Sequence, residues 1–257
     1  MNQRERRRYL IEELLREQPE YAKIQIPQHD GEQKKLLRAL MNVRMPGGAE
    51  EAFLRVQDAY LTEENEKRGI VTIDDMDEVA DGLYIWKGDI TRLKVGAIVN
   101  AANSGMTGCY QPCHSCIDNC IHTYAGIQLR SWCNDIMLRQ GHEEPVGQAK
   151  LTPSFNLPCE YVIHTVGPMV QGRLTAKHER MLESCYEACL RTAGENDVTG
   201  IAFCCISTGV FRFPNQRAAE IAVRTVTQYK EKTNSKMKVI FNVFEEKDAG
   251  IYRQLLG

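Results

Sequence analysis

The sequence predicts an α/β protein: a three-layer α/β/α domain over residues 73–257, preceded by an α-helical N-terminal extension over residues 1–72. Two observations carry this expectation. From about residue 73, short apolar runs alternate with longer amphipathic segments, and apolar strands that alternate with helices are covered on both faces of a sheet. Before residue 73 the chain is rich in Arg, Glu, Lys and Gln, and its apolar residues recur at helical spacing. A length of 257 residues suits one large domain with such an extension.

In the extension, Tyr9, Leu10, Leu14 and Leu15, then Leu36, Leu37, Leu40 and Met41, then Phe53, Leu54, Val56, Ala59 and Tyr60 form helical stripes. Breaks fall at Pro27-Gln28-His29-Asp30-Gly31 and at Pro46-Gly47-Gly48, so two or three helices are expected. No residue of the extension suggests chemistry, and the basic run Arg4 to Arg8 reads as a solvated helix face. Leu83 to Lys87 and Ala97 to Asn100 read as strands. Ile117 to Gln140 reads as one helix, with His122, Ala125, Leu129, Trp132 and Ile136 along a stripe. Strands follow at Gln148 to Pro153 and Tyr161 to Val166, then a helix from Ala176 to Thr192 that stops near Gly194. Gly200 to Ser207 is a fully apolar strand, and Asn215 to Lys230 is a helix behind Pro214, a favoured start. Lys238 to Phe244 is the last strand and Ala249 to Leu256 the last helix.

Composition narrows the function. The chain is 43% hydrophobic and 26% charged with a net charge of −2, so no global field draws it to nucleic acid or to a membrane surface. Its first residues, MNQRERRRYLIEELLRE, lack the apolar core of a signal peptide, and no run approaches the ~20 apolar residues of a membrane span. With no secretory signal, the ten cysteines read as reduced thiols and metal ligands, and the expected location is cytoplasmic.

The chemistry concentrates between Asn100 and Gly126, NAANSGMTGCYQPCHSCIDNCIHTYAG, where a strand delivers polar groups into a loop that opens a helix. Three readings of its cysteines compete. Cys109, His114 and Cys116 form C-x4-H-x-C, and two thiolates with an imidazole suit zinc while leaving a fourth position for water or substrate. Cys109, Cys113 and Cys116 form C-x3-C-x2-C, the spacing of a radical-SAM iron–sulfur site. The third reading is reduced cysteines packed as small apolar residues. Two further tracts follow strands. In GDIT, Gly88 to Thr91, Asp89 either caps the next turn or accepts from an exocyclic amine such as that of adenine. In STGVFRFP, Ser207 to Pro214, backbone N–H groups beside a helix N-terminus suit phosphate oxygens. A Walker lysine pattern and a GxGxxG fingerprint are both absent.

GDIT, then AIVNAAN, then a Gly/Cys loop before IHTYAG, then VIHTVGP, then CISTGVFRFP come in one order over residues 73–257, and this series resembles the macrodomain family of ADP-ribose-binding proteins. Hydrolytic members usually carry a glycine run after the Asn-Ala-Ala-Asn tract. GCYQPCHSC stands there instead, which resembles the zinc-dependent branch, found mostly in microbes. The helical first 72 residues are similar, more loosely, to the extension of that branch. The resemblance implies a macrodomain with a central mixed sheet, Zn2+ as cofactor, and Cys109, His114 and Cys116 as its ligands, with Cys113 and Cys120 as bystanders. The cluster reading also weakens on length, because a radical-SAM barrel needs roughly 200 residues after its cysteines, TIM-like barrels run ~250, and too few residues follow Cys116. The resemblance further implies Asp89 at the adenine amine with Ile90 beside it, Asn103 at the distal ribose and Asn100 bracing that loop. Asp118 is implied as an acid/base or ribose-positioning group, the alternative being a helix cap. Ser207, Thr208, Gly209, Val210 and Phe211 are implied around the diphosphate, and Phe244 or Asn242 facing adenine. His122 and His164 are expected as core histidines. The expected function is removal of mono-ADP-ribose from protein side chains, through an ester-type linkage to Asp or Glu. ADP-ribose and the ADP-ribosylated protein are the expected partners, with a sirtuin-type ADP-ribosyltransferase and a lipoyl-carrier protein as context. The alternative is an ADP-ribose reader in which Cys113 or Cys120 closes a structural zinc site.

Overall fold

The computed structural model describes residues 1–257. Three helices build the extension: α1 (Gln3–Arg16), α2 (Asp30–Val43) and α3 (Glu51–Lys67). Asn2 starts α1 with a capping box, its side chain taking the Glu5 N–H while the Glu5 carboxylate takes its own N–H. The predicted stripes face inward, so Leu10, Leu14, Leu37, Leu40, Met41, Phe53 and Tyr60 form a small core of their own, which Ile127 joins from the neighbouring domain.

That domain carries a seven-stranded mixed sheet in the order β1-β2-β7-β6-β3-β5-β4. The strands are β1 (Glu78–Ala80), β2 (Leu83–Lys87), β3 (Ala97–Ala102), β4 (Ala149–Pro153), β5 (Tyr161–Val166), β6 (Gly200–Phe203) and β7 (Lys238–Val243). The five inner strands are parallel and the two edges antiparallel. Helices α4 (Ile117–Ala125), α5 (Ile127–Gln140), α6 (Ala176–Glu195), α7 (Asn215–Thr233) and α8 (Glu246–Leu256) complete the fold. Ile98, Val99, Ile163, Ile201 and Val239 are fully buried in the sheet, as apolar strands between helical layers must be. No helix is long and apolar enough to cross a membrane.

Several expectations need correction, among them the solvated face expected of Arg4 to Arg8, where Arg7 is buried against Gln33 and Asp30, and the start of the last helix, which lies at Glu246. The helix predicted over 117–140 is two helices, because Gly126 adopts φ +100, outside helical space, and turns the chain between α4 and α5. The strand predicted to reach Ser207 stops at Phe203, and Cys204 and Ile206 are buried, with Cys205 half-buried between them, in irregular chain rather than a ladder. The helix expected to end near Thr192 runs on through Gly194 to Glu195. Strand β1 was not expected; it is three residues long and mostly exposed, too short for a two-residue period to register.

The extension docks on α4 and α5 through buried polar groups. Arg130, on α5, donates Nη1 to the carbonyls of Asn42 at 2.6 Å, Arg44 at 2.6 Å and Met41 at 3.4 Å. Gln57 accepts the Ile127 N–H at 3.0 Å, and Asn65 donates to the Asn156 carbonyl at 2.7 Å.

Candidate functional site

The strand order reverses between β3 and β6: the chain leaving β3 passes through α4 and α5 to β4 and β5 on one side, while β6 lies on the other. Loops leaving the carboxyl ends of parallel strands part at such a point and open a crevice. A single cleft lies there, lined by the loops after β2, β3, β6 and β7. Asp89, Ile90, Asn103, Cys109, His114, Cys116, Asp118 and Ser207 to Phe211 all line it. Of the expected site residues only Asn100 does not, being fully buried behind the cleft wall.

Asp118 sits in the first turn of α4, but it is not the cap. Cys116 caps the helix, its Sγ accepting the Asn119 N–H at 3.4 Å. The Asp118 carboxylate is buried and accepts from Asn100 Nδ2 at 2.9 Å and Asn103 Nδ2 at 3.2 Å. Burial raises its pKa to about 6, against the lowering effects of Asn100, Arg130 and Asn103. Asn103 also ties down the loop, donating to the Gly108 carbonyl at 3.1 Å and accepting the Gly105 N–H at 3.0 Å. Asn100 spends its other amide proton on His164 Nδ1 at 3.0 Å, which assigns the remaining ring proton to Nε2, 3.0 Å from Thr152 Oγ1. Burial depresses His164 to about 3, so the ring is neutral.

His122 was expected in the core, and it is buried there. Its Nε2 also lies 3.6 Å from Asp118 Oδ1, a meeting the sequence reading did not foresee although the i, i+4 spacing on one helix face announces it. Neither ring nitrogen has a hydrogen-bond partner, and burial pushes the pKa well below the usual value. The loop crosses this ring at Gly108, whose φ is +84 and where a Cβ would stand 2.8 Å from the imidazole. Only glycine fits that crossing.

Cys109 Sγ, a His114 ring nitrogen and Cys116 Sγ lie within 4.8 Å of one another, with Cys109 Sγ 3.6 Å from His114 Nδ1. Zinc bonds of ~2.3 Å to sulfur and ~2.0 Å to nitrogen at tetrahedral angles separate donors by about 3.5–3.8 Å, so this donor set fits a zinc ion. Burial pushes the free Cys116 thiol up to about 12, and a cation bound beside it would favour the thiolate. Cys113 and Cys120 do not join the set. Cys113 Sγ turns to the Lys35 carbonyl at 3.4 Å, and Cys120 Sγ lies 3.6 Å from Arg38 Nη2. Cys109, Cys113 and Cys116 therefore do not converge as cluster ligands, and neither bystander adds a fourth donor to the set as the reader alternative requires. His122, Cys133 and His164 form a second, wholly buried group, but Asn100 and Thr152 already engage both nitrogens of His164.

The Ser207 loop bends through left-handed backbone at Ser207, φ +67, and Arg212, φ +57. The N–H groups of Ser207, Gly209, Val210 and Phe211 meet no protein acceptor, while Thr208, Arg212 and Phe213 donate within the loop. Four free N–H groups just before the start of α7 make a concavity suited to an anion. Phe211 lines the cleft, whereas Phe213 is core. Asp89 fills its capping role, accepting the Thr91 N–H at 3.0 Å, and also pairs with Arg68 of the extension. Its carboxylate is one-third exposed (34%), so the cap leaves it accessible from the cleft. Asn242 donates to the carbonyls of Trp86 and Gly88, while Phe244 is 78% exposed at the rim.

A family model described as Macro domain matches residues 99–222. A protein of Treponema medium named protein-ADP-ribose hydrolase is 60% identical, the match spanning all of both chains. One of Staphylococcus aureus strain MRSA252, with the same name, is 46% identical over 96% of this chain and 93% of its own. Among solved structures, the Trypanosoma brucei macrodomain in complex with ADP-ribose superposes with a TM-score of 0.67 at 26% identity, covering 85% of this chain and 95% of that one.

Proposed function

The chain belongs to the macrodomain family and is a hydrolase acting on the ADP-ribosyl–protein linkage; we propose that it removes single ADP-ribose units from Asp or Glu side chains with the help of a zinc ion. The observation that carries the proposal is the meeting of the Cys109–His114–Cys116 donor set with Asp118 and Asn103 in one cleft. Cys109, His114 and Cys116 would hold the zinc, which would supply a Lewis acid beside the distal ribose. Two thiolate ligands temper that acidity, which favours positioning the ribose over generating hydroxide.

The protein groups do the remaining work. The free N–H groups of the Ser207 loop bind the diphosphate, and Asp89 with Ile90 receives the adenine. Asn103 orients the distal ribose through an amide that already fixes Asp118. Asp118 accepts the proton of the attacking water as its oxygen bonds to the acyl carbon. The bond from that carbon to the ribose oxygen then breaks, and the proton passes to the ribose oxygen, leaving ADP-ribose and a free carboxylate. A sirtuin-type ADP-ribosyltransferase as the source of the modification and a lipoyl-carrier protein as its bearer complete the proposal.

Asp118→Asn tests the assignment. It keeps the size of the side chain, so ADP-ribose binding should stay within about threefold while release of ADP-ribose from a modified protein falls ~10²-fold or more. Turnover within threefold of the parent protein would remove Asp118 from the mechanism.

A further inference from the structure

The sequence offers no chemistry in the extension, yet Arg38, on α2, lines the cleft. Its Nη2 donates to the His114 carbonyl at 2.7 Å and to Asn119 Oδ1 at 2.9 Å. Asn119 in turn gathers the donor loop, its Nδ2 reaching the carbonyls of Cys109 at 3.3 Å and Gln111 at 2.9 Å. Its backbone N–H is the one that Cys116 Sγ caps. All three metal-donor residues are thus tied to the Arg38–Asn119 pair: Cys109 through its carbonyl, His114 through its carbonyl and Cys116 through its sulfur. Asn42, one turn along α2, adds a fourth tie by accepting the Cys113 N–H at 2.9 Å.

These ties matter because the loop has little order of its own. Between Cys109 and Ser115 the one internal backbone hydrogen bond runs from the His114 N–H to the Gln111 carbonyl, at 3.2 Å. Cys113 sits at φ +54, a conformation that costs a non-glycine residue energy unless its surroundings hold it. A planar guanidinium that meets two acceptors at once fixes both in register, which a single flexible ammonium does less well.

We infer that Arg38 is a positioning residue of the metal site, through which the N-terminal extension pre-orders the donor loop and sets its affinity for zinc. The inference rests on the zinc reading proposed above. Without Arg38 the ordering of the loop falls to the metal, and outer-shell groups of this kind typically change metal affinity 10–100-fold.

The test is zinc affinity, read by competition with a chromogenic chelator on the full chain. Arg38→Ala should weaken zinc binding ~10–100-fold, and Arg38→Lys should fall between it and the parent protein. Gln33→Ala is the control. Gln33 is buried on the same helix, where it bonds Arg7 and the Pro27 carbonyl and makes no hydrogen bond to the loop. It should lower the melting temperature and leave zinc affinity unchanged. Should Arg38→Ala not fold, the comparison of Arg38→Lys with Gln33→Ala carries the test. Equal affinity in the parent and Arg38 variants, while the parent binds zinc, would overturn this inference alone. An equal loss in Gln33→Ala would also overturn it, since any loosening of the extension would then suffice. A parent protein that takes up no zinc would overturn both this inference and the metal part of the proposed function.

Discussion

Gly167, just past the end of β5, offers a sharp test of the diphosphate loop. A Cβ at this position would stand 2.1 Å from Ser207 Oγ, 2.8 Å from Ile206 Cγ2 and 3.4 Å from Ser207 Cβ. Its backbone lies outside the left-handed region, so Gly167→Ala acts through contact rather than conformation. Rotating the Ser207 hydroxyl away does not relieve the clash with Ile206, which is fully buried. The loop has to move, and overpacking of this size costs ~1–3 kcal/mol. The free N–H groups of Ser207, Gly209, Val210 and Phe211 move with it. Each hydrogen bond to a charged oxygen is worth ~1.5–3 kcal/mol, so losing one weakens ADP-ribose binding by about tenfold or more. Isothermal titration calorimetry reads the change directly. Ser207→Gly in the same chain removes the closest atom and suits φ +67 but leaves the 2.8 Å contact with Ile206, so the double variant should recover only part of the lost affinity. An unchanged Kd for Gly167→Ala would refute the assignment of this loop to the diphosphate.

Two further predictions concern the frame around the site. Arg130→Met preserves bulk but leaves the buried carbonyls of Met41, Asn42 and Arg44 without their donor, so chemical denaturation should show a loss of ~2–5 kcal/mol; a loss below ~0.5 kcal/mol would mean that the extension docks by other means. Burial holds His164 down to about 3, so as pH falls below ~6.5 the unfolded chain takes up a proton that the folded chain refuses, and stability drops by ~1.4 kcal/mol per pH unit until the folded value is reached. His122, depressed the same way, adds to the slope, while Asp118, raised to about 6, opposes it below that pH. Nitrogen NMR of the ring at pH 5 should show His164 neutral with its proton on Nε2, and a charged ring there would contradict the network.

The sheet was legible because its inner strands are apolar runs of about the right length, and β2 and β5 fall on the predicted residues. The break at Gly126 was not, because the apolar stripe from His122 to Ile136 passes through it without losing phase; the positive φ is a property of the backbone alone. Asp118 illustrates a choice the sequence leaves open. A carboxylate in a first helical turn is a common cap, and only the structure gives that role to Cys116 and turns Asp118 toward Asn100 and Asn103. Asp89 shows the converse, since one carboxylate caps a turn and still borders the cleft. Arg38 lay beyond reach because a lone arginine among many on an amphipathic helix has no local mark. Its meaning comes from residues some eighty positions away, Asn119 and His114. The distinctive signal was the C-x4-H-x-C spacing, where residue chemistry rather than periodicity points to the site.

Metal-resolved turnover tests the central claim most directly. The protein is purified without added metal, its zinc content is measured, and release of ADP-ribose from an aspartate- or glutamate-modified protein is followed before and after chelation. One zinc per chain, with activity lost on chelation and restored by zinc, is the predicted result. Turnover that survives complete removal of the metal, or tight ADP-ribose binding with no release under any metal condition, would contradict it.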